Sequence, residues 1–229
     1  MARWENHGST SIPIQIILSF IVPILQPFIP IICKAQSLLE AVEFRSWAKK
    51  NFEDVLIFRT KNEILEEVIN RAEVGFCVYY FEFGVAFGET AKFLLTRISA
   101  NSKYVGYDTF EGLPKAWRQL PKGAINANGD SPTINDDRFT FVTGFVENTV
   151  ATDTFNVTGQ KVIILDLDLY APSLHVFKAL VPSLMKDDII YFDEAFDRDE
   201  RVILDNYVIG KLSFEVIGIS SLGMAIKIK

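Results

Sequence analysis

Two short acidic stretches carry the chemistry of this sequence. VIILDLDLY, residues 162–170, is an aliphatic run that leads into Asp166 and Asp168. IIYFDEAFD, residues 189–197, repeats the design and places Asp193 and Glu194 behind four apolar residues. A run that apolar predicts a strand buried on both faces, where an unpaired charge is expensive. Each pair of acids therefore marks a strand end. If one helix separates the two strands, a right-handed crossover makes them neighbours about 5 Å apart. In an extended chain Asp166 and Asp168 point to the same face. Four carboxylates in one crevice repel, and some must protonate unless a cation compensates. A hard divalent ion with oxygen ligands answers this, and magnesium suits a site open to substrate. The plainer reading is that acids merely cap elements, as Asp187, Asp188 and Asp197 would.

Two further stretches sit at strand ends. In FEFGVAFGET, residues 81–90, Glu82 closes a strand, Gly84 permits a tight turn, and Gly88 lets a ligand approach the backbone at a helix start. The spacing is E-x-G-x-x-x-G, not the GxGxxG of dinucleotide enzymes. It is the form found in Rossmann-like proteins that bind S-adenosylmethionine, although a strand–turn–helix with two glycines is also plain packing. In YVGYDTFEGLP, residues 104–114, Asp108 ends the next strand, where an acid can accept hydrogen bonds from both hydroxyls of a ribose. A loop-capping aspartate is its bland alternative.

The elements that must position these residues follow from periodicity. Leu38, Leu39, Val42 and Trp47 have helical spacing over residues 35–50. Thr60-Lys61-Asn62-Glu63 has the form of a capping box, and Ile64, Leu65, Val68 and Ile69 continue it as an amphipathic helix. Strands are predicted at 78–83, 103–108, 138–144, 161–168 and 187–194. Helices are predicted at 89–99, from Pro172 to about Leu184, and after Asp197. FEVIGI and MAIKI close the pattern as an antiparallel hairpin. Strands alternating with helices predict an α/β fold, a Rossmann-like doubly wound and mostly parallel sheet of about seven strands ending in that hairpin. Ligands in such sheets sit at the carboxyl ends of the strands. The long loop 109–137 carries Trp117 and Arg118 and lies beside them, either as a substrate lid or without function.

Composition narrows the function classes. The chain has 229 residues, 49% of them hydrophobic and 23% charged, which is globular. A formal charge of −6 and the lack of a basic stripe argue against nucleic acid. Cys33 and Cys77 form no CxxC and point to a reducing, cytoplasmic setting. With only His7 and His175, acid–base work must rest on carboxylates, and His175 reads as structural. Residues 12–33 carry no formal charge, the length of a membrane span, but Pro13, Pro23, Pro27 and Pro30 interrupt them. Residues 1–34 are therefore set apart as an apolar segment, with 35–229 as the catalytic domain including helices over 35–71. Membrane association, a homo-oligomer contact or lid, and disorder all stand open for that segment.

Taken together, GVAFGET, YDTFEGLP, LDLDLYAPS and IIYFDEAF resemble the macrocin O-methyltransferase family over roughly residues 60–229. The resemblance implies a class I, S-adenosylmethionine-dependent enzyme that methylates a hydroxyl of a sugar or other small natural-product acceptor. It places the metal on Asp166, Asp193 and Glu194, with Asp168 as general base. The family pair is commonly Asp-Asp where this chain has Asp-Glu. It implies that Glu82, Gly84, Gly88 and Thr90 surround the methionine part of the cofactor, that Asp108 takes the ribose, and that Gly144 and Phe145 lie near the adenine. Two rivals remain: a haloacid dehalogenase-type phosphatase, whose DxD normally opens its domain, and a membrane-tethered binding protein that kept the fold without activity.

Overall fold

A computed structural model describes residues 26–72 and 77–229. A short 3-10 turn at Gln26–Phe28 leads into α1 (Ile29–Asn51), followed by α2 (Lys61–Arg71). Then come β1 (Val78–Phe83), α3 (Glu89–Leu95), β2 (Lys103–Asp108), β3 (Phe139–Thr143), α4 (Val146–Thr149) and β4 (Gln160–Leu165). The chain continues through α5 (Tyr170–Leu180), β5 (Ile189–Phe192), α6 (Arg198–Ile203) with a π-helical turn to Val208, β6 (Phe214–Ile219) and β7 (Met224–Ile228). It divides into two compact units, Met1–Val42 and Glu43–Lys229, and the division falls within α1. The second unit carries the site. Most of the apolar segment lies outside the described residues, and among those described no helix is long and apolar enough to cross a membrane.

The sheet has seven strands in the order β3-β2-β1-β4-β5-β7-β6. β7 runs antiparallel to both neighbours and the other pairings are parallel. This is the expected doubly wound architecture, with the hairpin inserted so that β7 lies between β5 and β6. The chain reverses direction of growth at β1, with β2 on one side and β4 on the other, which makes the β1/β4 edge the switch point.

Strand alternation sorts the core into two layers. Phe81, Phe83, Ile163, Leu165, Ile190 and Phe192 face Phe44 and Ala48 of α1 and the buried sides of α5 and α6. Tyr80, Tyr104, Val162, Ile164, Ile189 and Tyr191 face Ile64, Leu65 and Val68 of α2 and Ala91, Leu94 and Leu95 of α3. Among the described side chains of α1, Phe44 and Ala48 are buried, whereas Leu38 and Leu39 are exposed. Two predicted strands are shorter than expected. β4 stops at Leu165 and β5 at Phe192, so every acid of the two DxD-like stretches lies just past a strand.

Candidate active site

The ends of β1, β4 and β5 are level. Phe83 pairs with Leu165, and Leu165 with Phe192. The backbone ladder runs one residue further, from Asp166 N to Phe83 O and from Asp193 N to Leu165 O, both at 2.9 Å. Period-two alternation then fixes where the acids point. Glu82, Asp166 and Asp193 continue the tyrosine-bearing face that α2 covers. β4 and β5 are hydrogen-bonded neighbours, as the spacing of the two acidic stretches requires.

Into this row α2 brings a side chain that sequence reading passed over. Lys61 Nζ lies 2.7 Å from Asp166 Oδ2 and 2.8 Å from Asp193 Oδ2. Thr60 is the N-cap, accepting from Glu63 N through Oγ1, and Glu63 accepts from the Arg59 amide instead of its own N-cap amide. A lysine in the first turn opposes the helix dipole. That misplacement is the signal that could have marked Lys61 as serving something beyond its helix. Burial works against its charge, but Asp166 and Asp193 more than offset this and hold the ammonium protonated.

Asp166 and Asp168 converge by a different route from the extended chain expected. Asp168 has φ 61 and sits at the centre of a three-residue turn closed by Leu169 N to Leu167 O at 2.6 Å. Left-handed backbone at a residue other than glycine costs on the order of 1 kcal/mol and concentrates at functional sites. The turn brings oxygens of Asp166, Asp168 and Glu194 within 4.8 Å of one another. Asp193 is not in that group. Its Oδ2 takes Lys61, and its Oδ1 accepts the Tyr191 hydroxyl at 2.7 Å.

The electrostatics are those of a crowded acidic crevice. Burial, then the neighbouring charge of Asp193, raises the carboxyl of Asp166 well above its usual range against the opposing pull of Lys61. Burial pushes Asp168 up to about 6 and Glu82 up to about 7. Glu194, only 7% exposed, is raised by burial and by the charges of Asp166 and Asp193. Behind it lies Glu200, fully buried and likewise raised, whose Oε2 accepts the Glu194 amide at 3.0 Å. Sequence spacing puts Glu200 in the first turn of the helix after Asp197, and nothing in that spacing shows that α6 turns it inward. Among the described residues Lys61 is the ammonium that reaches these acids, and one positive charge does not balance them.

The remaining predicted residues wall a cavity of about 650 Å³ at the switch point, a volume suited to a cofactor-sized ligand. Glu82, Gly84, Thr90, Asp108, Gly144, Phe145, Asp166, Asp168 and Glu194 line it, together with Lys61. Gly88 and Asp193 do not. Gly84 has φ 95, and a Cβ there would collide with the Asp166 carbonyl oxygen, so close approach of two strand ends requires it. Gly88 has φ 77, and its missing side chain faces Pro132 and Ile134 of the long loop, not the cavity. Asp108 accepts from Ala86 N and Phe110 N, one oxygen each, both at 2.7 Å. It is thus a loop cap, yet a carboxylate offers about four acceptor sites, so capacity for two hydroxyls remains. The loop 109–138 supplies Leu113, Pro114, Trp117 and Ile125 to the wall. Arg118 fastens it, donating to Asp197 Oδ2 at 3.0 Å. His175 bonds the Val150 carbonyl and takes no part.

No family model and no curated protein matches this sequence. Solved structures do. The calicheamicin methyltransferase CalS11 aligns with a TM-score of 0.54 at 19% identity, over 72% of this chain and 76% of that one. The apo structure of CalS11, named as a TDP-rhamnose 3'-O-methyltransferase of calicheamicin biosynthesis, gives 0.49 at 19% over 72% and 76%. The O-methyltransferase NovP gives 0.49 at 16% over 73% and 77%. At this identity the likeness to CalS11 is one of fold, and the chain has the Rossmann-like fold of that methyltransferase.

Proposed function

We propose that this chain transfers the methyl group of S-adenosylmethionine to a hydroxyl of a sugar or other small natural-product acceptor, in a magnesium-dependent reaction. The observation that carries the reading is the single cavity wall that runs from Asp108 and Gly84 to the acid group Asp166, Asp168 and Glu194. One end suits a ribose and its amino-acid tail. The other suits a cation and an ionising hydroxyl.

The sulfonium methyl is already activated, so the enzyme's main task is to align an oxygen in line with it. Asp108 would hold the ribose hydroxyls, Gly84 would leave room for the cofactor backbone, and Phe145, 42% exposed at the rim, would cover the adenine. Glu82 and Thr90 would flank the methionine part, with Gly144 opening the turn before Phe145. The loop 109–138 would exclude water from the acceptor. Asp168 would take the proton leaving the acceptor hydroxyl, as a carboxylate at the cavity wall beside the acid group. The donor set is all oxygen and anionic, which fits a hard divalent ion. Asp166 and Glu194 would hold it, with Asp193 added by the family resemblance. Magnesium, when bound, would polarise the acceptor hydroxyl and lower its pKa. No observation favours the phosphatase or the inactive binding protein.

Calorimetry with S-adenosylmethionine and S-adenosylhomocysteine, with and without magnesium, tests the cofactor. Asp108→Asn should weaken binding by roughly 10- to 150-fold, since a hydrogen bond to a charged group contributes about 1.5–3 kcal/mol. Mass spectrometry on a panel of nucleotide-sugar and phenolic acceptors should then show addition of one methyl group. A folded protein that binds neither form of the cofactor would defeat the proposal.

A further inference from the structure

Helix α1 carries two apolar rows. One holds Phe44 and Ala48, which are buried. The other holds Phe28, Ile31, Leu38, Leu39 and Val42, which are 50–66% exposed. Single apolar side chains on a surface need no explanation, but these are not scattered. Phe28, Ile31, Ala35, Leu38 and Val42 follow one another at intervals of three, four, three and four residues, and Ala35 is exposed as well. That is the a/d spacing of a coiled coil, and Leu39 widens the row on one side. The row runs about 21 Å along the helix, and the 3.6-residue period keeps it on a stripe separate from Phe44 and Ala48.

Three occupants could cover such a row: a lipid surface, the chain's own residues before Gln26, or a second copy. A helix that lies on a membrane sets its apolar face against a polar face rich in Lys and Arg. In α1, Glu40 and Glu43 stand among the basic residues, and Lys49 and Lys50 belong to the last turn, where they complement the helix dipole. The chain as a whole carries −6, which does not draw it to anionic lipid. Before Gln26, Pro13 and Pro23 leave a proline-free run over residues 14–22, and as a helix that run would reach about 14 Å. It is too short for the row. A second copy brings a row of the same length and spacing, and identical a/d rows interdigitate. At about 100 Å² of exposed surface for each of the five large side chains, two facing rows remove roughly 1,000 Å² from water, the lower limit for a specific interface.

We propose that α1 is a self-association element, and that two copies of this chain form a dimer by pairing Phe28, Ile31, Ala35, Leu38 and Val42 with the same row of the partner. Phe44 and Ala48 stay in the core of their own chain, so one helix serves two interfaces. None of the row's residues lines the cavity at the switch point, and dimerisation and methyl transfer therefore stand or fall separately.

Sedimentation velocity of the full chain over a concentration series is the test. The parent is expected at twice the mass of the 25.9 kDa chain. Leu38→Glu and, separately, Ala35→Glu place a charge within the row, and each should raise the dimer dissociation constant about tenfold or more. Both positions are exposed, so both variants should melt with the parent by circular dichroism. If Leu38→Glu does not fold, Ala35→Glu, which deletes no larger side chain, decides by the same criterion. A parent that sediments as a monomer overturns the proposal, and so does a dimer that neither variant weakens. Two further readings name the occupant in its place. Flotation of a monomeric parent with phosphatidylcholine vesicles, lost in Leu38→Glu, would assign the row to lipid. A monomeric parent whose melting temperature falls in Leu38→Glu would assign it to the chain's own segment. Either result overturns the dimer.

Discussion

Glu82 lies among the buried aromatic side chains of β1, yet it carries a carboxyl group and is 1% exposed. Among the described residues it accepts a hydrogen bond from the Tyr104 hydroxyl at 2.7 Å, and burial raises its pKa from 4.5 to about 7. Between those values the folded protein keeps a proton that the unfolded chain has released. Folding is therefore favoured at the acid end of the window and loses free energy as pH climbs from 4.5 to about 7, by about 2–3 kcal/mol in the cofactor-free protein. Glu82→Gln should flatten that part of the profile. Urea unfolding at pH 5 and pH 8 measures it, and an equal pH difference in parent and variant would contradict the assigned burial cost. At this scale the strand-end acids were legible, since Glu82, Asp108, Asp166 and Asp193 each follow an apolar run of strand length. Lys61 was marked only by its place against the helix dipole, which names no partner, and Glu200 was not marked at all. Their roles arise from where α2 and α6 dock, and no local spacing encodes docking.

Helix α2 shows how one element sets up another's chemistry. Its first turn must hold still for Lys61 to bridge two carboxylates, and the Thr60 cap with the Glu63–Arg59 bond supplies the rigidity. Thr60→Ala should cost about 1 kcal/mol, the usual value of an N-cap, and lower the melting temperature by about 2–4 °C in a chain of this length. A thermal melt followed by circular dichroism reads it. A variant melting with the parent would mean that packing of Ile64, Leu65 and Val68 alone fixes the helix. The elements themselves were readable from period and punctuation, with strands placed to within a few residues. Two details were not. The stretch 166–168 reads as more strand because it directly continues an apolar run and alternates in polarity, but the sheet ends at Leu165 and the chain turns instead. The loop 109–138 has no period to read, and only the tertiary anchors Arg118 and Asp197 show that it walls the cavity.

Across the whole molecule, stability and chemistry occupy opposite ends of the central strands. The site lies past the carboxyl ends of β4 and β5, whereas their amino ends are joined by an ion pair, Lys161 with Asp188 at 2.8 Å, both side chains at most 1% exposed. Asp188 also accepts the amides of Lys161 and Met185, so the cap that the sequence suggested is also a buried anchor. Removing one partner strands the other charge, and Asp188→Ala should destabilise the fold by about 3–5 kcal/mol. The residual folded fraction should bind S-adenosylmethionine as the parent does, which denaturant titration and calorimetry at low temperature would check separately. The sheet order carries one more implication. Because β7 lies between β5 and β6, a nascent chain leaving the ribosome exposes the bare rim of β5 throughout synthesis of β6, until the strand that belongs against it has emerged. For that interval a fully apolar strand stands open to pairing with other chains, so expression yield should depend on chaperones more than the stability of the finished protein would suggest.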